Sequence, residues 1–287
     1  MKALFWRQVN PMKVRIRKFL QSPERAWLYA LLGTLYVCIR TRKFARVFVE
    51  DGVWIHQYRD GAVTDRHINY RLSLDQYTRD TSEYWFFAYH PRQGDTIIDI
   101  GAGKGEETHS FSQAVGPRGT VISIEAHPET FRCVVKLCQY NNLSNVHPLC
   151  AAICQREADV TIDNPHSDIM SSIGNAQQGF RVHGYTLDQV VEMFGIGTID
   201  FVKMNIEGAE KLAIQGMTEC MKNIRFICIS CHDFLADQRH NEVFRTKALV
   251  EGFLKENGFI IRSRDGDRRP YIRDQVNAMN ERFAPRS

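Results

Sequence analysis

From residue 95 onward, short apolar runs alternate with longer segments of mixed polarity. Runs at 97–100, 120–125, 146–151, 199–205 and 224–231 predict strands, and 158–163 predicts an added one. Between them, 105–114, 128–141, 186–194, a segment beginning near Gly208, and 241–257 predict helices. Pro128 stands in a first turn and Gly258 just past a last one, where these residues favour helix boundaries. The segments 259–264 and 271–276 predict two closing strands, and 164–184 a polar loop. Such alternation predicts an α/β fold, a mostly parallel sheet with helices on both faces.

Upstream the pattern differs. Residues 1–45 predict two helices parted near Ser22 and Pro23. Segments 46–50 and 53–58 flank Asp51-Gly52, a hairpin signal, and Asp60-Gly61 predicts another turn. An aromatic helix is expected within 70–90. These shifts divide the chain into an N-terminal helical and β extension, 1–85, and a main domain, 86–287.

Charge sharpens the division. Residues 1–47 carry eleven Lys or Arg and one acid, Glu24; the rest carry 26 basic and 32 acidic side chains. A basic end of this kind suits contact with an anionic membrane surface through 1–45, and it equally suits a solvated or core-wrapping arm. The apolar stretch 26–39 is too short to span a bilayer and no cleavage signal follows it. Eight cysteines lie mostly within apolar runs, which points to buried thiols and a reducing, cytoplasmic location.

The candidate chemistry begins at 95–125. A strand containing Asp99 ends at Ile100, then Gly101, Ala102, Gly103 and Gly105 form a bend before a helix with Glu106 and Thr108 in or near its first turn. Glycines there allow close backbone approach to a ligand. The spacing is not the dinucleotide G-x-G-x-x-G, and Glu106 is a poor neighbour for a pyrophosphate, which disfavours an NAD-dependent oxidoreductase. A phosphate-free nucleoside cofactor, S-adenosylmethionine, fits better. Glu125, ending the second strand, is the candidate ligand of its ribose; Ala126, His127 and Asn142 complete that side. A second constellation follows the fourth strand: Lys203, Asn205, Glu207 and Glu210. Alternation puts Lys203 and Asn205 on one side, and a buried Lys203 needs a neighbouring acid. A third, Cys228, Cys231, His232 and Asp233, has haem-attachment spacing but lies in a buried-strand pattern. His232 is a candidate base, since imidazole ordinarily titrates near neutral pH.

Residues 186–188, 199–210, 95–103 and 124–128 together resemble the FkbM-type methyltransferases, over about 95–265. The resemblance implies a class I methyltransferase fold with a seven-stranded sheet, S-adenosylmethionine as cofactor, and methyl transfer to a hydroxyl of a small molecule or glycan. His232, Asn205 and Lys203 are the catalytic candidates; no metal and no nucleic-acid partner is expected. Two departures matter: the family usually has Asp at Asn205 and often Glu at Ser230. They keep open a binding protein of the same fold with reduced catalysis.

Overall fold

The computed structural model describes residues 25–68, 73–163 and 179–284. The first expected helix, the Ser22 and Pro23 start expected for the second, and most of the 164–184 loop lie outside these. The chain forms two compact units, Met1–Ser73 and Leu74–Ser287.

In the first unit, helix α1 (Ala26–Thr41) precedes strands β1 (Ala45–Glu50), β2 (Val53–Tyr58) and β3 (Gly61–Asp65), which form an antiparallel sheet in chain order. Asp51 and Gly52 both take positive φ, at 51° and 79°, as a two-residue hairpin turn demands. Helix α1 turns Ala30, Gly33 and Val37 inward. The Thr34 hydroxyl accepts from Val47 N at 2.9 Å and ties the helix to β1. A Cβ on Gly33 would lie 2.9 Å from Ile68 Cδ1, so glycine sets this close approach.

The second unit opens with α2 (Leu74–Trp85), then β4 (Thr96–Ile100), α3 (Thr108–Val115), β5 (Thr120–Ile124), α4 (Pro128–Asn141) and β6 (Val146–Leu149). A small excursion follows: β7 (Ala152–Ile153), β8 (Ala158–Asp163) and β9 (Gly179–Tyr185). The chain returns through α5 (Leu187–Met193), β10 (Ile199–Met204), α6 (Glu210–Ala213), β11 (Ile224–Ser230), α7 (Asp233–Arg239), α8 (Lys247–Glu256), β12 (Phe259–Arg262), α9 (Pro270–Arg273) and β13 (Gln275–Asn280). The main sheet has seven strands in the order β12-β13-β11-β10-β4-β5-β6. β11, β10, β4, β5 and β6 are parallel, while β13 runs antiparallel to both β11 and β12. This is the class I methyltransferase arrangement, with the reversed strand inserted next to the edge.

Several expectations shift. The end of the 164–184 loop is strand β9, paired antiparallel with β8. Its polar look comes from an exposed face satisfied across the pair, where Arg181 meets Asp159 at 2.7 Å and His183 meets Glu157 at 3.0 Å. The expected third strand, 146–151, ends at Leu149. The expected helix 241–257 starts at Lys247, because the Asn241 side chain accepts from Val243 N and caps a separate short turn. The expected strand 271–276 is displaced to Gln275–Asn280, since Pro270 starts a helical turn. The expected helix at 105 starts at Thr108, after three glycines with positive φ. The compact units part at 73/74 rather than 85/86. Trp85 and Tyr89 belong to the second unit's core with Ile97, Phe111, Val121 and Phe201, and Tyr89 stacks on Phe201 at 4.6 Å.

Candidate active site

Register builds the site. Ser123, Asp99, Lys203, Cys228 and Asn277 are successive cross-strand partners from β5 to β13, and all are buried. Side chains two residues apart share a sheet face. The preceding row on that face, Val121, Ile97, Phe201 and Phe226, is therefore the apolar and aromatic core described above. The following positions are Glu125, Gly101, Asn205 and Ser230, with Gln275 opposite Ser230. This face thus grades from apolar to polar toward the carboxyl ends of its parallel strands, where ligands of open α/β sheets bind.

Lys203 is completely buried, with Nζ 2.8 Å from Asp99 Oδ1 and donating to Gly101 O at 2.8 Å. Glu107 Oε2 lies 3.8 Å away and the Trp85 ring 5.1 Å away. Burial alone would pull the ammonium down, but Asp99 and Glu107 outweigh it and hold its pKa above the ordinary value. Burial pushes the Glu107 carboxyl up, against the pull of Lys203 and of Trp85 Nε1, which donates to it at 3.1 Å. Asp99 Oδ2 accepts from Thr108 Oγ1 at 3.3 Å. The acid that Lys203 needed is thus Asp99, and the pair anchors the glycine bend by its first carbonyl.

The bend is tight. Gly101, Gly103 and Gly105 take φ of 76°, 58° and 88°. Gly101 N and Ala102 N both donate to Ile124 O at 2.9 Å. A Cβ on Gly101 would sit 2.1 Å from Asn205 O, so no other residue fits. Gly103 N and His127 N donate to the two oxygens of Glu125, each at 2.8 Å. Burial raises the Glu125 carboxyl to about 7, against those two donors.

A cavity of about 370 Å³ opens beside the bend. Gly101, Ala102, Gly103, Glu106, Glu125, Ala126, His127, Asn205 and Glu207 all line it, as do Glu107, Thr130, Ile153, Cys154, Ile162 and Leu212. Other candidates lie elsewhere. Asp99 and Lys203 are sealed behind the bend, and Thr108 bonds Asp99 and Ser123. Gly105 packs on Leu137, where a Cβ would meet Cδ2 at 2.5 Å. Asn142 ends α4 in the left-handed region at φ 53°, the reason an asparagine suits that position.

His232 is also off this wall, buried at the start of α7 with Nδ1 3.6 Å from Glu210 Oε1. Glu210 is completely buried and accepts from Gly208 N at 2.9 Å and Thr246 Oγ1 at 3.4 Å. Asp233 accepts from Thr246 N and Lys247 N, and so holds the start of α8. Cys228 and Cys231 are free thiols with no solvent exposure, which fits a strand interior and not haem attachment. Nearby, Asn205 Oδ1, Gln275 Oε1 and both side-chain polar atoms of Asn277 are buried with no protein partner. Among the described residues no group of three or more His, Cys, Asp or Glu is placed to hold a metal ion.

Sequence reasoning missed Glu107, Trp85, Gln275 and Asn277. Glu107 stands beside the candidate Glu106 and carries no motif of its own. Gln275 and Asn277 alternate with Val276 and Ala278, a period-two signal obscured by the displaced strand.

Parts of the chain are similar to known proteins. The Methyltransferase FkbM domain model matches residues 99–261. The tRNA (adenine(58)-N(1))-methyltransferase catalytic subunit of Cryptococcus neoformans is 38% identical over 64 residues, 22% of this chain and 15% of that protein. Its Yarrowia lipolytica counterpart is 33% identical over 84 residues, 29% of this chain and 21% of that one. The chain therefore matches only a small part of these curated relatives. Among solved structures, methyltransferase FkbM from Methylobacillus flagellatus superposes with a TM-score of 0.48 at 14% identity, over 72% of this chain and 50% of that one. Aeropyrum pernix fibrillarin, solved with natively bound S-adenosyl-L-methionine, gives 0.43 at 14% identity, over 81% and 97%.

Proposed function

The chain belongs to the FkbM methyltransferase domain family and is an S-adenosylmethionine-dependent methyltransferase; from that premise we propose that it methylates a hydroxyl oxygen of a glycan, a lipid-linked sugar or a secondary metabolite. The residues fit the cofactor. Gly101 lets the bend close on the backbone of Asn205, Gly103 has only Glu106 Oε2 near where its Cβ would stand, and the cavity beside them lies within the range of small-molecule clefts. In this reading Glu125, already oriented by Gly103 N and His127 N, uses its remaining lone pairs to accept from the ribose hydroxyls. Ala102, Glu106, Ala126, His127, Asn205 and Glu207 complete the cofactor wall. Lys203 and Asp99 act as positioning residues behind it. Lys203 is therefore withdrawn from the catalytic set, because its ammonium is sealed and committed to Asp99 and Gly101 O.

The cofactor, when bound, supplies an already activated methyl group. What remains for the protein is to align an oxygen and take its proton. His232 is assigned that proton. Glu210 is fixed by Gly208 N and Thr246, but its Oε1 stands 3.6 Å from Nδ1, too far for a hydrogen bond; in this reading the two close to hydrogen-bond distance when the acceptor binds, which fixes the tautomer protonated at Nδ1 and leaves Nε2 as acceptor.

The observation that carries a hydroxyl over a charged amine as acceptor is the set of neutral side chains Asn205, Ser230 and Gln275 at the strand ends. An amine that is protonated in water would be matched by carboxylates; amides and a hydroxyl match a neutral hydroxyl group. The same set favours one second reading. With Asn205 and Ser230 in place of the family's usual acids, the fold could bind cofactor and acceptor without turnover.

Calorimetry with adenosylhomocysteine, followed by labelled-methyl transfer to panels of glycans, lipid-linked sugars, phenols and tRNA, separates these. Cofactor binding with transfer to a hydroxyl is expected. Transfer to a base nitrogen of tRNA would overturn the acceptor assignment, and binding with no transfer to any panel would select the second reading.

A further inference from the structure

Helix α1 is apolar where a surface helix is ordinarily polar. Ala30, Gly33 and Val37 face inward. Around the rest of its circumference stand Trp27, Leu31, Leu32, Leu35, Tyr36 and Ile39, with exposures from 48% to 79%, and Phe44 beyond the helix end is 82% exposed. Trp27, Leu31, Leu35 and Ile39 are spaced by four, so they form one stripe along the axis, with Leu32 and Tyr36 beside it. A helix apolar all round is normally buried in a core or in lipid. A solvent-facing apolar stripe this continuous marks an interaction surface.

Charge identifies the partner. Residues 25–49 contain Arg25, Arg40, Arg42, Lys43 and Arg46 and no acid. Arg40, Arg42 and Lys43 are exposed at the helix end and in the turn that follows it, with Lys43 3.7 Å from Asp60, and Arg46 is exposed on β1. The stripe is thus bordered by cations, with Trp27 and Tyr36 in it, the composition of a bilayer interface. A neutral apolar protein partner would not call for the cations. A spanning role is ruled out by geometry: the helix has 16 residues, about 24 Å at 1.5 Å each, and Thr34 and Cys38 bond β1 on its inner side. Among the described residues no helix is long and apolar enough to cross a membrane.

We infer that α1 lies in the plane of an anionic lipid surface, with Trp27, Leu31, Leu35 and Ile39 inserted among acyl chains and Arg40, Arg42 and Lys43 on the headgroups. The inference stands on the first unit alone and does not depend on the methyl acceptor.

The test is flotation of the full chain with phosphatidylcholine vesicles, with and without phosphatidylserine. The wild type is expected to float with the anionic vesicles and to dissociate as salt rises. L31Q/L35Q/I39Q should weaken binding about a hundredfold, from the lost apolar burial, and R40Q/R42Q/K43Q about tenfold or more at low salt. Adenosylhomocysteine affinity should stay unchanged in both, which also reports that they fold. Trp27→Phe keeps the surface apolar and supplies a second readout: quenching of tryptophan emission by brominated phosphatidylcholine should fall. Wild-type protein that stays with the pellet, equal flotation of L31Q/L35Q/I39Q, or unchanged quenching in Trp27→Phe would overturn the inference. So would a wild-type dimer that L31Q/L35Q/I39Q turns into a monomer, since a second copy would then cover the stripe.

Discussion

Two halves of one sheet edge face the site and solve the problem of buried polarity in opposite ways. At β4 and β5, each buried charge has a partner: Asp99 with Lys203, Glu107 with Lys203 and Trp85, Glu125 with two backbone N–H groups. Just past β10 and along β13, three buried amides, Asn205, Gln275 and Asn277, keep side-chain atoms without a protein partner, whereas Asn280 further along β13 is held by Met221 O and Ile224 O. A charge left unpaired in a low dielectric is too costly to keep, while an orphan amide costs only a few kcal/mol. The first half therefore reads as a finished scaffold for one fixed ligand. The second reads as a surface whose hydrogen bonds await another molecule.

The sharpest way to break the contrast is Lys203→Met. It strands Asp99 without its cation and should cost about 3–5 kcal/mol, measured by urea unfolding; a loss under about 1 kcal/mol would show that the pair is not a scaffold. Next, His232→Ala should lower turnover about 10²–10⁴-fold while adenosylhomocysteine affinity holds. Equal loss in both would place His232 in the cofactor half.

Gly101→Ala forces a Cβ against Asn205 O in a positive-φ position. It should destabilise by about 1–3 kcal/mol from crowding and weaken cofactor binding together, read by thermal unfolding and calorimetry. Glu125→Gln sharpens the comparison by pH. The Glu125 carboxyl sits near 7, above its ordinary range, because of burial. Between its unfolded pKa and about 7 the native state alone keeps that proton, so apo stability should fall as pH rises through this window. Affinity for adenosylhomocysteine should rise over the same window as the carboxylate forms, and the glutamine variant should lose both slopes. A wild type with flat profiles would remove Glu125 from the ribose. The smallest effect is expected from Asn277→Leu, which replaces an orphan amide by an apolar group of similar size. It should leave stability unchanged or raise it by about 1 kcal/mol, and a clear loss would mean that Asn277 already has a structural partner.

The parts of this molecule that could be read early are those coded locally. The glycine bend announces itself because its residues are adjacent, and Glu125 because it ends a strand of obvious pattern. The Asp51-Gly52 hairpin fell in place for the same reason. The site residues that were misplaced depend on distant partners. Thr108 looked like a cofactor contact until its hydroxyl was found on Asp99 and Ser123. Asn142 looked like a cofactor contact and is a helix stop.

What the order of residues determined by itself is most of the elements, the bend and the carboxylate at the second strand end, because periodicity and turn chemistry act over a few positions. Tertiary structure alone decided that β13 slips in antiparallel beside β11 and brings Gln275 and Asn277 to the edge. It also decided that Lys203 closes on Asp99, 104 positions earlier, and that Glu210 faces His232. Strand order and register are settled by which surfaces bury best against one another, and no short stretch of chain carries that information.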